Sequence, residues 1–344
     1  MKKFAAVVAT GLALGFAAST AAYAEAPKCE VGKKIVFAGL DWDSNAFHTA
    51  VAQYVFKHGY GCEVDTIPGS TIPLHAGLAR GDIQVMMEVW PGNSPPTWSK
   101  GLKDGSLQSL GVNFPDAVQA WYVPKYLVEG DNAPAKGLKS VADLAKFKSV
   151  FKDPEEPSKG RFYNCIAGWQ CEITNTKKLH AYGLTKDFTN FRPGTGAALS
   201  AAVESAIKRK KPILFYYWAP TWLLGKVGKD VVQIQEPAYD EAKWKALQAL
   251  KDPAKAKDAT AYPVVKILKG ARTDFLEKAP KLKAFLEKYH TTSALVSEAL
   301  AYMQATGGKP ADAAEHFLKT KKDLWTKWVP ADVAKRVEDS LAKG

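Results

Sequence analysis

Two doubly wound α/β lobes, joined by a hinge that the chain crosses twice, are the architecture this sequence predicts. Three observations carry that expectation. Strand, turn and helix signals alternate from residue 35 onward, the pattern of a sheet wrapped by helices. The chain of 344 residues is longer than one hydrophobic core usually holds, so two units of ordinary domain size are expected. The same alternation then starts afresh in the middle of the chain, after a strand-like run that ends near Pro124.

In order, Ile35–Leu40 has the composition of a buried strand. Asn45–His58 follows with apolar residues at helical spacing (Phe47, Val51, Tyr54, Val55), with Asp43 or Ser44 as its start cap and Gly59 as its stop. Cys62–Ile67 reads as the second strand. Ser70 or Thr71 opens a helix reaching Arg80, Gly81-Asp82 turns the chain, and Ile83–Trp90 makes the third strand. Ala117–Pro124 is strand-like, and a helix is expected at Val141–Val150. Phe188–Phe191, a helix from Gly196 to Arg209, Ile213–Trp218 and Val231–Gln235 continue the second lobe. Val264–Leu268 is again strand-like, and from Asp274 the chain is helical and Lys-rich to its end. The expected division is a leader at 1–24, a first lobe from 25–120 completed by 263–344, and a second lobe at 121–262. Crossings near Ala117 and Val264 make a hinge with a cleft, and ligands of open α/β sheets bind at the carboxyl ends of strands that face such a cleft.

The leader is a secretory signal by pattern. Lys2 and Lys3 precede an apolar run from Phe4 to Ala18, and Ala22-Tyr23-Ala24 fits the small-x-small cleavage rule, which predicts a periplasmic mature protein beginning at Glu25. The net charge of +12 falls to +10 without those two lysines. Nucleic acid does not explain it, because the lysines are spread along amphipathic stretches such as Lys278–Lys288, as on a solvated basic face. Four cysteines in an oxidising compartment allow three pairings. Spacing favours one of them: Cys165 and Cys171 enclose a short loop, while Cys29 and Cys62 each precede a strand, and neighbouring parallel strands bring such starts together. No metal is expected, since no His flanks these cysteines. No cofactor is expected either.

The residues at the predicted strand ends are the functional signal. Asp41-Trp42-Asp43 follows the first strand, Trp90-Pro91-Gly92-Asn93 the third, and Trp218-Ala219-Pro220 another. Trp169 joins them from the Cys165–Cys171 loop, and Trp121 lies on a crossing strand. The remaining five of the ten tryptophans, Trp98, Trp222, Trp244, Trp325 and Trp328, fall on helices, where packing is the default. Indole faces attract a cation by ~0.5–2 kcal/mol, and boxes of aromatic rings recognise methylated ammonium groups. A trimethylammonium head donates no strong hydrogen bond, so such a box selects it over primary amines, which lose water without finding acceptors. Glu88 would add negative potential, and Asn93, Ser44 and the backbone donors around Gly168–Gln170 are candidates to hold an anionic end at a helix start.

Cys165-Ile-Ala-Gly-Trp-Gln-Cys171-Glu172 followed by Phe215-Tyr216-Tyr217-Trp218-Ala219-Pro220-Thr221-Trp222 resembles the paired signatures of the glycine betaine binding proteins of osmoprotectant ABC importers. Trp90 and the stretches Ala120–Val123 and Ala261–Val265 fit the same family. The resemblance implies a type II periplasmic binding protein fold, a cage of Trp90, Trp169 and Trp218, a Cys165–Cys171 disulfide, and Trp42 as the indole that choline-binding relatives use. It implies as partners a quaternary-ammonium solute and a membrane permease with its ATPase, and a monomeric receptor rather than an enzyme. The sequence departs from the pattern after Trp90, where Pro-Gly-Asn-Ser stands in place of a His that some members use for the ligand carboxylate.

Two other classes compete. A receptor for an amino acid or sulfonate needs an Arg and an Asp poised at strand ends, and Arg192 alone qualifies as the Arg. An exported hydrolase needs a nucleophile elbow or metal-helix spacing, and neither occurs among its six histidines and its serines. Gly194-Thr195-Gly196, between a strand and a helix, reads as a tight turn because the full dinucleotide fingerprint is missing.

Overall fold

The computed structural model describes Met1 and residues 27–343. Residues 2–26, with the expected apolar leader and the cleavage point after Ala24, lie outside the described residues. Strand β1 (Ile35–Leu40) leads to helix α1 (Asp43–Tyr54), which runs on through a π-helical turn to Gly59. Strand β2 (Val64–Gly69), helix α2 (Thr71–Arg80), strand β3 (Val85–Val89) and helix α3 (Pro96–Asp104) complete the first stretch. Strand β4 (Leu107–Pro124) carries the chain across, and β5 (Gly160–Tyr163), α4 (Gln170–Ala181), β6 (Phe188–Phe191), α5 (Gly196–Lys208), β7 (Leu214–Ala219), α6 (Trp222–Val227), β8 (Val231–Gln233) and α7 (Glu241–Ala249) build the second lobe. Strand β9 (Val265–Arg272) returns to the first lobe, followed by α8 (Thr273–Leu276), α9 (Pro280–Lys288), α10 (Ser293–Thr306), α11 (Pro310–Thr320), α12 (Lys322–Trp325) and α13 (Ala331–Leu341).

The strand order is β2-β1-β3-β9-β4-β7-β5-β6, with β8 on β4. β1 pairs in parallel with β2 and β3, and β5 in parallel with β6 and β7. At the centre the pairing is antiparallel, β3 with β9, β9 with β4 and β4 with β7. The sheet is therefore mixed rather than purely parallel, because the two crossing strands run against their neighbours. β4 pairs with β9 up to Ala117 and with β7 from Val118, so the change of lobe falls between those residues. Register shifts at Ser109/Val112, Val112/Phe114 and Phe114/Ala117 break the ladder there, and Asp116 sits at φ 61°. Asp is among the few residues other than Gly that visit that left-handed backbone.

Period-two alternation sorts the first lobe's side chains onto two faces. Ile35, Phe37, Val85 and Met87 pack with α1 and the C-terminal helices, while Ala38, Leu40 and Met86 pack with Leu74, Leu78 and Trp98 on the other side, where Val89 joins them across the register shift between Met86 and Val89. Trp325 and Trp328 are buried in the first of these cores. The second lobe has its own core around Trp121, Phe162, Leu199, Val203 and Phe215.

Several expected elements differ. At Val141–Val150 only a 3₁₀ turn forms, Leu144–Phe147. Its buried Leu138, Val141 and Leu144 lie three apart, which a 3₁₀ turn also satisfies, and the Asp143 carboxylate accepts from the backbone of Lys139 and Ser140, favouring a turn. β2 starts at Val64 because the Cys62 N–H is donated to Phe56 and its sulfur is bonded to Cys29. β4 begins ten residues before Ala117, since Gly111 and Pro115 are absorbed as irregularities within a strand instead of ending it. α1 has Trp42 at its cap position with no side-chain cap, so neither Asp43 nor Ser44 serves as one.

Both disulfides of the favoured pairing are present, Cys29–Cys62 and Cys165–Cys171. The first joins the starts of parallel β1 and β2, with Cα atoms 4.7 Å apart.

Candidate functional site

The four strand-end and loop indoles converge. Trp42 caps α1 after β1, Trp90 follows β3, Trp169 caps α4 and Trp218 is on β7; all four line one cavity between the lobes. Trp42 and Trp169 meet edge to face at 5.6 Å, and Trp169 and Trp218 at 5.2 Å. Tyr217 stacks on Trp218 at 4.6 Å, bracing that ring from behind. Two glycines let Trp169 take its place. Gly168 has φ 93°, and a Cβ there would stand 2.4 Å from Ser70 Oγ; a Cβ at Gly196 would press on the Trp169 ring at 3.2 Å.

Carboxylates hold three of the four indoles. Glu88 Oε2 accepts from Trp42 Nε1 at 2.7 Å and from Trp90 Nε1 at 3.1 Å. Asp41 Oδ1 accepts from Trp169 Nε1 at 2.6 Å, a bond across the cleft from the first lobe to the second. Glu88 is 1% exposed, and burial pushes its carboxyl up to about 7 against the opposing bonds from Trp42, Ser44 and Trp90. Among the described residues its Oε1 has no hydrogen-bond partner, and the nearest base is His48 Nε2 at 3.9 Å, likewise without one. Burial lowers His48 to about 3, so the ring is neutral; its Nδ1 meets Tyr289 Oη at 2.7 Å.

The polar side of the cavity comes from Thr71 and His75 on α2, Asn93, Gln119 on β4, and Gln170 and Cys171 at the start of α4. First-turn backbone N–H groups lack intrahelical acceptors and carry the positive end of the helix dipole, so α4 presents donors here. Gln119 Oε1 accepts from Tyr216 Oη at 2.7 Å and from Asn93 Nδ2. His75 is buried with Nδ1 unpartnered, and burial lowers it to about 4. His75, Gln119 and Tyr216 were missed in the sequence, because they lie within elements rather than at strand ends; the one available signal is that His75 follows Thr71 by one helical turn.

Trp121 does not reach the cavity. It is fully buried in the second core, packed on Phe162 at 4.3 Å, with its N–H donated to Asn175. On a strand, position 121 faces opposite to 120 and 122, and its face is the one covered by α4. Arg192 is likewise elsewhere, bonded to Glu172 at 2.6 Å. Thr195 caps α5 through Ala198 N–H, which makes Gly194-Thr195-Gly196 a turn and cap. Among the described residues no group of three His, Cys, Asp or Glu is placed to hold a metal, and no helix is long and apolar enough to cross a membrane.

Comparison with known proteins gives the family and the fold. Residues 33–320 match the family described as the substrate binding domain of the ABC-type glycine betaine transport system. A glycine betaine/proline betaine-binding periplasmic protein of Escherichia coli (strain K12) is 30% identical over 167 residues, 47% of this chain and 48% of that protein. The aligned part thus spans about half the length of this relative. The fold is shared with a solved glycine/betaine/L-proline-binding protein from Borrelia burgdorferi (TM-score 0.67, 19% identity, 89% of this chain and 100% of that one). It is shared too with lactococcal OpuAC in its closed, glycine betaine-bound form (TM-score 0.64, 21% identity, 87% and 100%). With two α/β lobes, an indole-lined cleft and a family match over most of its length, the chain belongs to the substrate-binding domains of ABC-type glycine betaine transport systems.

Proposed function

We propose that this protein is an extracytoplasmic receptor that captures a quaternary-ammonium compound of the betaine or choline class and delivers it to the permease and ATPase of an ABC importer. The observation that carries the reading is the convergence of Trp42, Trp90, Trp169 and Trp218, drawn from both lobes, on one cavity. Their faces form the cage for the methylated head. The first turn of α4, with Asn93 and His75, takes the polar end of the ligand, and Glu88 adds negative potential behind two of the rings. Residues 25–120 with 263–344 act as one body and 121–262 as the other, working as a monomer without catalysis. Export with cleavage after Ala24 places it outside the cytoplasm, which N-terminal sequencing of the mature protein checks.

Titration of intrinsic fluorescence with glycine betaine, choline, carnitine and trimethylamine oxide tests the proposal. Saturable binding of at least one member is expected. If instead an amino acid or a sulfonate saturates the site and none of the four does, the cage reading falls. The amino-acid alternative lacks its basic anchor, since Arg192 is paired with Glu172 and does not line the cavity.

A further inference from the structure

We propose that Glu88 is the positioning residue of the cage, a single carboxylate oxygen that fixes the orientation of two of its walls. This deepens the cage reading above and rests on it for its effect on binding. Trp42 and Trp90 come from different strand ends, 48 positions apart in sequence, and no ring contact joins them directly; what they share is Glu88 Oε2, at 2.7 and 3.1 Å from their indole nitrogens. Trp169 and Trp218 are braced by rings, Trp169 by Trp42 and Trp218 by Tyr217. Trp90 packs along the edges of both cores, and its one aromatic-ring contact among the described residues is an edge with Phe114 at 6.5 Å. Without its acceptor, an indole has two-fold freedom about its ring torsion.

Burying a carboxylate this completely is costly unless it is paired, and its second oxygen has no partner among the described residues. A buried group kept at a stability cost beside a ligand cavity points to a role in the site, since a residue serving only the core would be apolar. The geometry also predicts which substitution preserves the role. In Glu88→Gln the amide oxygen keeps the position of Oε2 for both indoles, and the NH₂ group faces the unpartnered His48 Nε2. Glu88→Leu fills similar space and removes the acceptor.

The test uses the mature protein and both variants, with glycine betaine, choline and tetramethylammonium as probes for fluorescence titration, and crystal structures of the ligand-free forms. Glu88→Leu is expected to weaken every bound probe about 10- to 100-fold, as for the loss of one or two aromatic walls, with a thermal midpoint equal to or above that of the wild type. Glu88→Gln is expected to stay within about fivefold of it. In the crystals, Trp42 or Trp90 turns from its position in the Leu variant and both keep it in the Gln variant. Unchanged affinity in the Leu variant, a Gln variant as weak as Leu, or a Leu variant with both rings in place overturns the proposal. Should the wild type bind none of the probes, the cage reading fails, and the ring positions in the two crystal structures still decide whether Glu88 holds them.

Discussion

At the scale of residues, the same residue type has two fates that burial alone does not separate. Trp169 and Trp121 are 3% and 0% exposed, yet one lines the cavity and the other is core. Replacing Trp90, Trp169 or Trp218 by Ala is expected to weaken ligand binding by ~1–3 kcal/mol, because a cage wall and its desolvation are lost together. Trp121→Phe should do the reverse, lowering the thermal midpoint through the lost bond to Asn175 while the folded protein binds normally. A titration series beside melting curves checks both. Glu88 adds a pH dependence with a definite sign. Its carboxyl is raised from 4.5 to about 7, so between those values the folded state keeps a proton that the unfolded chain has released. The contribution is complete below pH 4.5 and is lost as pH rises through 7, by about 3 kcal/mol at ~1.4 kcal/mol per unit. Buried Lys269, lowered to about 7, acts oppositely, its effect growing more favourable as pH rises from 7. The stability of the wild type minus that of Glu88→Gln is therefore the quantity to measure by denaturant titration at pH 5 and 8, since Lys269 is common to both; a difference that rises with pH contradicts the assignment.

Elements show why some of the site was legible and some was not. β1, α2, β6 and α5 stand within a residue or two of expectation, because clean apolar runs and turn residues bound them. Of α4 only the start was legible, as backbone donors around Gly168–Gln170; the helix itself was not, although it supplies two of the six residues named on the polar side. Its buried residues are Cys171, Thr174, Asn175, Lys177, Lys178 and Leu179, so no apolar period exists to read. Lys178 is buried there only because Glu236, 2.7 Å away, and the Tyr262 face at 3.8 Å receive it. Pairing partners 58 positions apart leave no local signature. The Cys165–Cys171 bond sits at the head of this helix, between Trp169 and the cavity wall at Cys171. A loop this short restricts the unfolded chain modestly, so reducing it is expected to harm affinity more than stability. Cys165→Ser/Cys171→Ser protein, compared by titration and melting, checks this; a large fall in melting point with intact affinity would reverse the roles.

For the whole molecule, the central fact is that the walls of the cavity are divided between the lobes. Trp42 and Trp90 belong to the first and Trp169 and Trp218 to the second, with the Asp41–Trp169 bond and the Ile72 N–H to Gly168 carbonyl bond spanning the gap. Ligand is expected to draw the lobes together by small backbone changes where β4 and β9 cross, near the register shifts and Asp116. Small-angle scattering should show a smaller radius with saturating ligand, and hydrogen exchange should slow at residues 112–118; identical profiles in both states would sink the clamp. By itself the sequence determined the α/β alternation, the two-lobed plan, the disulfide pairing and the indoles at strand ends, since each rests on short-range chemistry: period, turn residues, loop length, ring type. Tertiary structure alone decided that Trp121 turns into the core, that one buried Glu88 oxygen serves two indoles, that His75 faces the cavity, and that the central pairing is antiparallel. Those depend on which residues distant in the chain meet in space, and a contact across 40 or more positions has no period to reveal it.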